Sequence, residues 1–240
     1  MRYVRQTDGK IRALETFTLH DGRTITAGTL GGEIDSPRNL AQNGTCWVFP
    51  GASIEDAAYV SGDAIVQSFG PNVGRVIGNA RVYGNALISG GIVSGNARVL
   101  GDAVVQADAV VQAESSVSDN AKVYGSAKIM GASSVSGNAR VEGEAIVRNG
   151  GQVKNDAKIS GKPIIEGIVQ DKGHVSGCAL VDTSSMVKCD ARLGGCVKLI
   201  NTILDRNAIV YGDHEIEDQT VSDASYVTTC PDKGTSDCCD

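Results

Sequence analysis

A six-residue repeat constrains the fold of this chain more than any other feature of its sequence. Every sixth residue from Val99 to Ile165 is Val or Ile, in all twelve repeats. The residue two positions earlier is Ala, Ser or Gly in eleven of those twelve repeats. Chance does not maintain such a pattern over about seventy residues. The chain is therefore expected to repeat one short structural unit.

Each repeat has the pattern of a short strand followed by a turn. The small residue and the Val or Ile lie two positions apart, so both side chains point to the same face of a strand. The residue between them points outward and is often Arg or Lys. The turn position is mostly Gly or Asn, as in Gly95, Gly137 and Asn155. These residues adopt a positive φ at the least cost, which a tight corner requires.

A second, longer period groups three of these repeats into one coil. Ser115, Ser133 and Gly151 replace the usual Ala at intervals of 18. Stacked coils pair each strand with the coil above and the coil below, and they leave strand edges only at the ends. The sequence therefore predicts an all-β fold, a single-stranded, three-sided parallel β-helix solenoid.

The repeat slips twice by the same amount. The small residues Ala64 and Gly74 are ten residues apart, and the same interval separates Pro163 from Gly173. We interpret both slips as four-residue insertions that leave the coils as loops, the second of them within 166–172.

Composition agrees with a narrow interior. The chain has 30 Gly but only three Phe, one Trp and six Tyr, whereas a thick globular core relies on large aromatic side chains. Its net charge of −6 resides in the C-terminal segment, because residues 1–204 are nearly neutral. We therefore do not expect nucleic-acid binding. No apolar run is long enough to span a membrane, and none at the N-terminus is typical of a signal peptide, so a cytoplasmic protein is expected.

Three segments follow from these patterns. Residues 1–50 lack the repeat and contain a hairpin pattern, so we predict an N-terminal β cap. Residues 51–204 carry the regular coils. Residues 205–240 are predicted to form an irregular terminal coil and an acidic flexible tail.

The repeat resembles that of the hexapeptide-repeat left-handed β-helix proteins. Its Gly-Asn-Ala-Arg-Val form, at Gly95–Val99 and Gly137–Val141, is most similar to bacterial and phage β-helix proteins that carry a provisional transferase name. Their pre-helix stretch is similar to Gly28–Asp35 and Gly44–Val48. The resemblance implies left-handed coils, side-by-side parallel association that is often trimeric, and an origin in a phage or prophage.

Outward residues at successive intervals of 18 should form columns on the faces of the solenoid. One column contains Lys122, Arg140 and Lys158, with Tyr124 beside it. We predict that these four residues bind an anionic partner or the acidic tail of a neighbouring subunit; the alternative is an ordinary solvated surface.

A second column is apolar enough to form a subunit interface. It contains Val110, Lys128, Ile146 and Ile164, with Met130 near it, and the interface is predicted from Val110, Ile146, Ile164 and Met130. Burial of these side chains would favour a homo-oligomer, and the resemblance implies a trimer. A different protein partner is the alternative occupant.

The sequence contains no recognisable catalytic or metal-binding motif. We therefore predict a non-enzymatic binding or structural protein without a cofactor or metal, such as an accessory protein or virion component of a phage or prophage. It would be located in the host cytoplasm or in the virion. The alternative is an acyltransferase-like enzyme with an acyl-CoA donor. The resemblance implies a His on a coil as general base, and His174, beside the predicted loop at 166–172, occupies such a position.

Overall fold

The structure is a computed structural model that describes residues 1–227, and this part of the chain contains strands but no helix. The chain divides into two units, Met1–Asn120 and Ala121–Asp240. Each unit is a stack of short strands joined by tight corners, so the predicted all-β parallel solenoid is confirmed. The left hand of the coils stays a prediction of the resemblance.

The first unit contains the antiparallel strands of the N-terminus and the first parallel coils. Its strands are β1 (Tyr3–Arg5), β2 (Lys10–Ala13), β3 (Phe17–Thr18), β4 (Thr24–Ile25), β5 (Leu30–Ile34), β6 (Trp47–Val48), β7 (Ser53–Ile54), β8 (Tyr59–Val60), β9 (Ile65–Gln67), β10 (Arg75–Val76), β11 (Arg81–Val82), β12 (Leu87–Ser89), β13 (Ile92–Val93), β14 (Arg98–Val99), β15 (Val104–Gln106), β16 (Val110–Val111) and β17 (Ser116–Val117).

The second unit continues the pattern of two- and three-residue strands. Its described strands are β18 (Lys122–Val123), β19 (Lys128–Ile129), β20 (Ser134–Val135), β21 (Arg140–Val141), β22 (Ile146–Val147), β23 (Gln152–Val153), β24 (Lys158–Ile159), β25 (Ile164–Ile165), β26 (Ile168–Val169), β27 (His174–Val175), β28 (Leu180–Val181), β29 (Met186–Val187), β30 (Arg192–Leu193), β31 (Lys198–Ile200), β32 (Ile203–Asp205), β33 (Ile209–Tyr211), β34 (Glu215–Glu217), β35 (Thr220–Ser222) and β36 (Ser225–Val227).

Within each unit, every third strand along the coils joins the same parallel sheet. In the first unit the first sheet contains β7, β10, β13 and β16, the second contains β8, β11, β14 and β17, and the third contains β6, β9, β12 and β15. In the second unit β19, β22, β25, β28, β31 and β34 form the first sheet. The second sheet of that unit runs from β20 to β35 and the third from β18 to β36, again in steps of three strands.

The interior of the coils is built from the small and β-branched residues of the repeat. Ala139 and Val141 are fully buried, whereas Arg140 between them is exposed. The corners need Gly where two coils approach closely. Gly137 has a φ of 72°, and a Cβ there would lie 2.8 Å from the backbone of Asn155. The six-residue pattern thus directs small side chains inward and glycine to the corners.

The first slip of the repeat is an insertion, as predicted. Arg75 pairs with Ser53, so the step between neighbouring coils is 22 instead of the regular 18. The extra residues form a loop in which Phe69 and Asn72 make an antiparallel bridge. Gly70, with a φ of 58°, turns the loop, and Phe69 is exposed at its tip.

The second slip is not an insertion, and the predicted loop at 166–172 is wrong. Ile168 begins a strand of the second sheet only four residues after Ile164 begins one of the first sheet. His174 pairs with Lys158, so the step between these coils is shortened to 16. Gly167 makes the tight corner possible, because a Cβ there would overlap the backbone of the next coil.

The pairing of the strands can be compared with the predicted boundaries at 50 and 204. Upstream of 50, β1, β2 and β5 are antiparallel neighbours, and β5 then pairs in parallel with β7. The hairpin of β3 and β4 brings Phe17 edge-on to Trp47, with 5.7 Å between the ring centroids. Downstream of 204, parallel pairing continues through β36, and the rest of the predicted tail lies outside the described residues.

Candidate functional site

The third sheet of the second unit aligns five outward side chains in one column. Lys122, Arg140, Lys158, His174 and Arg192 begin successive strands of this sheet and are register partners in that order. Backbone hydrogen bonds hold the register, since the N–H of each of the middle three donates to a carbonyl of the next coil at 2.9 Å. We call these five residues the basic column. Adjacent members are separated by about 4.8 Å, the spacing of neighbouring strands.

The structure brings together three of the four predicted binding residues and adds two more. Lys122, Arg140 and Lys158 share the column, as the longer period indicates. His174 and Arg192 belong to the same column, which the sequence analysis missed. His174 follows Lys158 by 16 residues, and Arg192 follows His174 by 18. Recognition of the shortened coil in the sequence would therefore have placed both residues in the column.

The fourth predicted residue, Tyr124, lies beside the column rather than in it. Its backbone N–H donates to the carbonyl of Val141 at 2.9 Å, which places it at the corner that follows the strand. Glu142 and Ser160 occupy the same corner in the next two coils. This corner therefore offers polar and acidic groups next to the cations.

The exposed cations of the column lack carboxylate partners. Within residues 1–227, no carboxylate oxygen lies within 4.0 Å of a side-chain nitrogen of Arg140, Lys158 or Arg192. Several other cations of this unit pair with acids one coil away. The closest nitrogen–oxygen distance is 2.8 Å for Arg148 and Glu166, and 3.1 Å for Lys188 and Asp205. Neighbouring like charges on a sheet destabilise it unless an anion compensates them.

Four members of the column, from Arg140 to Arg192, form one wall of a shallow groove. On its other wall, the Asn138 amide donates to Asp156 at 2.9 Å, and Lys172 lies 4.0 Å from Asp190. Four cationic and two acidic side chains line the groove, a net charge of +2 while the imidazole is neutral. The lining residues are Asn138, Arg140, Asp156, Lys158, Lys172, His174, Asp190 and Arg192.

His174 is half-buried and lines this groove with the other members of the column. Burial lowers the pKa of its imidazole, and the charges of Arg192 and Lys158 lower this pKa further, while Glu142 opposes the shift. The neutral form therefore predominates at pH 7. The imidazole Nε2 lies 3.4 Å from the Ser160 hydroxyl. A neutral imidazole beside unpaired cations can accept a proton from a bound group.

The predicted interface residues are distributed over both units. Val110 pairs with Ile92 in the first sheet of the first unit. In the first sheet of the second unit, Ile146 and Ile164 are register partners, and Leu180 extends this apolar strip by one coil. Ile164 and Leu180 are only partly exposed. Met130 lies at the corner that follows β19 and is also partly exposed.

Two further properties of the described chain bear on its function. Among residues 1–227, no group of three or more His, Cys, Asp and Glu side chains is positioned to hold a metal ion. The same part of the chain has no helix that is long and apolar enough to cross a membrane.

Comparison with known proteins supports the architecture alone. A family model described as the YdcK beta solenoid repeat matches residues 80–96. This segment contains β11, β12 and β13, which is one coil of the first unit. No curated protein matches the sequence. The chain is thus similar to a β-solenoid repeat family over a single coil, and the similarity to hexapeptide-repeat transferases stays a prediction.

Proposed function

We propose that this chain is a non-enzymatic binding solenoid, whose basic column docks an extended acidic segment of a partner protein. One observation carries the proposal: the exposed cations of the column have no carboxylate partner within residues 1–227, although several other cations of the same unit, such as Arg148 and Lys188, pair with acids one coil away. Arg140, Lys158 and Arg192 repel one another in this arrangement, and a row of carboxylates would remove the repulsion. Arginine also binds carboxylate through two parallel hydrogen bonds.

The rigidity of the sheet favours an extended ligand. The backbone register holds the members of the column in one row about 4.8 Å apart per coil, so a ligand in the groove meets charges at fixed positions, with the neutral His174 between Lys158 and Arg192. Asp156 and Asp190 are already hydrogen-bonded or ion-paired within the opposite wall. They therefore repel an incoming anion less than free carboxylates would, and they restrict it to the side of the basic column.

The test is binding of a fluorescently labelled polyglutamate peptide, followed by anisotropy. We expect saturable binding that weakens as ionic strength rises. The triple variant Arg140→Gln, Lys158→Gln and Arg192→Gln should bind at least about tenfold more weakly, a loss of about 1.4 kcal/mol. Unchanged affinity in this variant would refute the proposal.

A matched control removes the same amount of charge elsewhere in the unit. Lys128, Lys154 and Lys198 project from other strands or corners of the second unit. Their triple substitution by Gln should leave the affinity within about twofold, apart from the general effect of net charge. Equal losses in the two triple variants would mean that the peptide responds to overall charge and not to the column.

The neutral His174 favours one second candidate, an acyltransferase-like enzyme that uses an acyl-CoA donor. Its imidazole is a suitable general base, and the adjacent cations suit the phosphates of such a donor. The absence of a loop at 166–172 weakens this candidate, because the short corner at Gly167 provides no wall over the groove. Calorimetric titration with acetyl-CoA decides: saturable binding that is lost in His174→Ala would favour the enzyme.

We propose in addition that copies of the chain associate side by side, as a trimer by resemblance. Ile146, Ile164 and Met130 would contribute from the second unit, and Val110 from the first. Light scattering on the variant Ile146→Glu, Ile164→Glu should show a smaller species than the unmodified chain. A phage or prophage accessory protein, or a virion component, in the host cytoplasm fits this combination of rigid scaffold and docking face.

A further inference from the structure

A second row of unpaired cations lies in the first unit, on different residues. Tyr59, Arg81, Arg98 and Ser116 are register partners in the second sheet of that unit. The backbone N–H groups of Tyr59 and Arg81 each donate to the next coil at 2.9 Å, and that of Arg98 does so at 3.0 Å. The tyrosine and both arginines are exposed. A tyrosine is therefore followed in this row by arginines on the next two strands.

The two arginines differ from another arginine of the same coils. Arg75 in the first sheet makes two hydrogen bonds to Glu55 one coil earlier, at 2.9 and 2.7 Å. Within residues 1–227, neither Arg81 nor Arg98 has a carboxylate within 4.0 Å. The guanidinium donors of this pair are thus available to a ligand, although neighbouring like charges destabilise the sheet.

The corner beside the arginines adds neutral and acidic groups. The Asn79 amide donates to the Asn96 carbonyl oxygen at 3.2 Å, which leaves the NH₂ group of Asn96 without a partner among the described residues. Glu114 occupies the same corner one coil later. Asn96 and Glu114 both line the groove between this corner and the arginine row. This groove therefore combines guanidinium groups that can donate hydrogen bonds to an anion, an amide group, and one carboxylate that can accept hydrogen bonds.

We propose that this groove binds an acidic oligosaccharide, with a uronate carboxylate between Arg81 and Arg98. The guanidinium pair would hold that carboxylate, which neutralises the repulsion between the two arginines. The ring of Tyr59 would pack against the apolar face of a sugar, as an amphipathic aromatic side chain can. Asn96 would donate to sugar oxygens, and Glu114 would accept hydrogen bonds from sugar hydroxyls.

Glu114 distinguishes this ligand class from a polyphosphate. A chain of phosphates offers few hydroxyl donors and would meet the carboxylate with repulsion. A uronate oligosaccharide carries isolated charges among hydroxyl groups, so it satisfies the arginines and the carboxylate together. The proposal goes beyond the binding function assigned to the basic column, because the two grooves share no residue.

The experiment is isothermal titration of the full chain with trigalacturonic acid, and with maltotriose as the neutral analogue. We expect saturable binding of the acidic sugar and at least about tenfold weaker binding of maltotriose. Arg81→Gln with Arg98→Gln should reduce affinity for the acidic sugar by at least about tenfold, and Tyr59→Ala by several-fold. All three positions are exposed, and circular dichroism would verify that the variants fold.

Two controls test whether binding is specific to this groove. Arg12→Gln removes an exposed arginine of the first sheet in the same unit and should leave the affinity unchanged. Arg140→Gln with Lys158→Gln removes two members of the basic column and should also leave it unchanged, whatever these changes do to the acidic peptide. Absence of saturable binding, equal loss in Arg12→Gln, or tighter binding of an oligothymidylate that competes for the same site would overturn the inference.

Discussion

Gly167→Ala is the most direct test of the shortened coil on which the basic column depends. Gly167 lies between Ile165 and Ile168, at the corner where the chain passes from the first to the second sheet of the second unit. An added Cβ would lie well within 3.0 Å of the carbonyl oxygens of Asp182 and Ser185. It would also lie 3.1 Å from a methyl carbon of Val181. Two of the closest neighbours are backbone atoms of the next coil, so no side-chain rotation relieves the overlap.

The energetic cost can be estimated from these contacts. The next coil must retreat by about 1 Å, and overpacking of this kind costs about 1–3 kcal/mol. The retreat also stretches two hydrogen bonds, Glu166 N–H to Val181 at 2.8 Å and Ile168 N–H to Ser185 at 3.0 Å, each contributing about 1 kcal/mol. Alanine also reduces the conformational entropy of the unfolded chain, which offsets about 0.4–1 kcal/mol of this cost. We expect a net loss of about 3 kcal/mol, the middle of the range that these contributions give.

Thermal and urea unfolding followed by circular dichroism would measure this loss. For a chain of this size, about 3 kcal/mol corresponds to a decrease in Tm of about 6–12 °C. Because solenoids can unfold locally, hydrogen exchange of the amides in β25 to β29 should locate the weakening to the coils around the corner. Affinity for the acidic peptide should fall as well, since the corner sets the position of His174 and Arg192 relative to Lys158.

Gly150→Ala is the matched control. Gly150 is at the corresponding corner one coil earlier, with a φ of 84° and no neighbouring atom within 4 Å of an added Cβ. This substitution strains the backbone by about 1–2 kcal/mol but creates no overlap. If Gly167→Ala proves no more destabilising than Gly150→Ala, the two coils do not pack as described and the alignment of the column loses its basis.

Three further predictions concern single side chains. The pKa of His174 is lowered in the folded state, so the unfolded chain takes up a proton first as pH falls below about 6.5; urea titrations at neutral and acidic pH should show a loss of stability that His174→Gln lacks, and equal pH profiles would contradict this. Ile159→Ala removes a buried inward side chain and should lower the free energy of unfolding by about 2–5 kcal/mol, whereas Lys158→Ala beside it should change it by less than about 0.5 kcal/mol. Burial raises the pKa of the Cys46 thiol to about 11, so mass spectrometry should find Cys46 unlabelled by iodoacetamide at pH 8 until the protein is denatured; rapid labelling of the folded chain would argue against this burial.

Much of the candidate site could be predicted because its residues follow the repeat. The longer period places Lys122, Arg140 and Lys158 on one sheet, and the register partners agree. Periodicity alone says nothing about pairing of charges. Arg148 contacts Glu166, whereas Arg140 has no carboxylate partner in the part of the chain that the structure describes. This difference depends on which residues of the neighbouring coil lie beside each arginine, and therefore on the register of the strands.

The N-terminal residues illustrate a different limit. Trp47 and Ile65 would be exposed on the third sheet of the first unit if the coils were alone, yet both are fully buried. The hairpin of β3 and β4 packs Phe17 against Trp47, and His20 in its turn contacts the carbonyl oxygen of Asp63 at 2.7 Å. No periodic signal connects His20 with Asp63, because the contact joins a hairpin to a coil 43 residues away.

By itself, the sequence determined the coil: which residues face inward, where the corners lie, and that each strand pairs with the next coil. It could not determine how each slip of the repeat is accommodated. An insertion of four residues and a deletion of two residues change the phase of a six-residue repeat by the same amount. The interval from Ala64 to Gly74 and that from Pro163 to Gly173 are both ten residues. Tertiary packing resolves them in opposite ways: Phe69 and its neighbours leave the coil as a loop, whereas Gly167 packs without a Cβ against the next coil and shortens it. That second choice, made by backbone contact between coils, aligns His174 and Arg192 with the basic column.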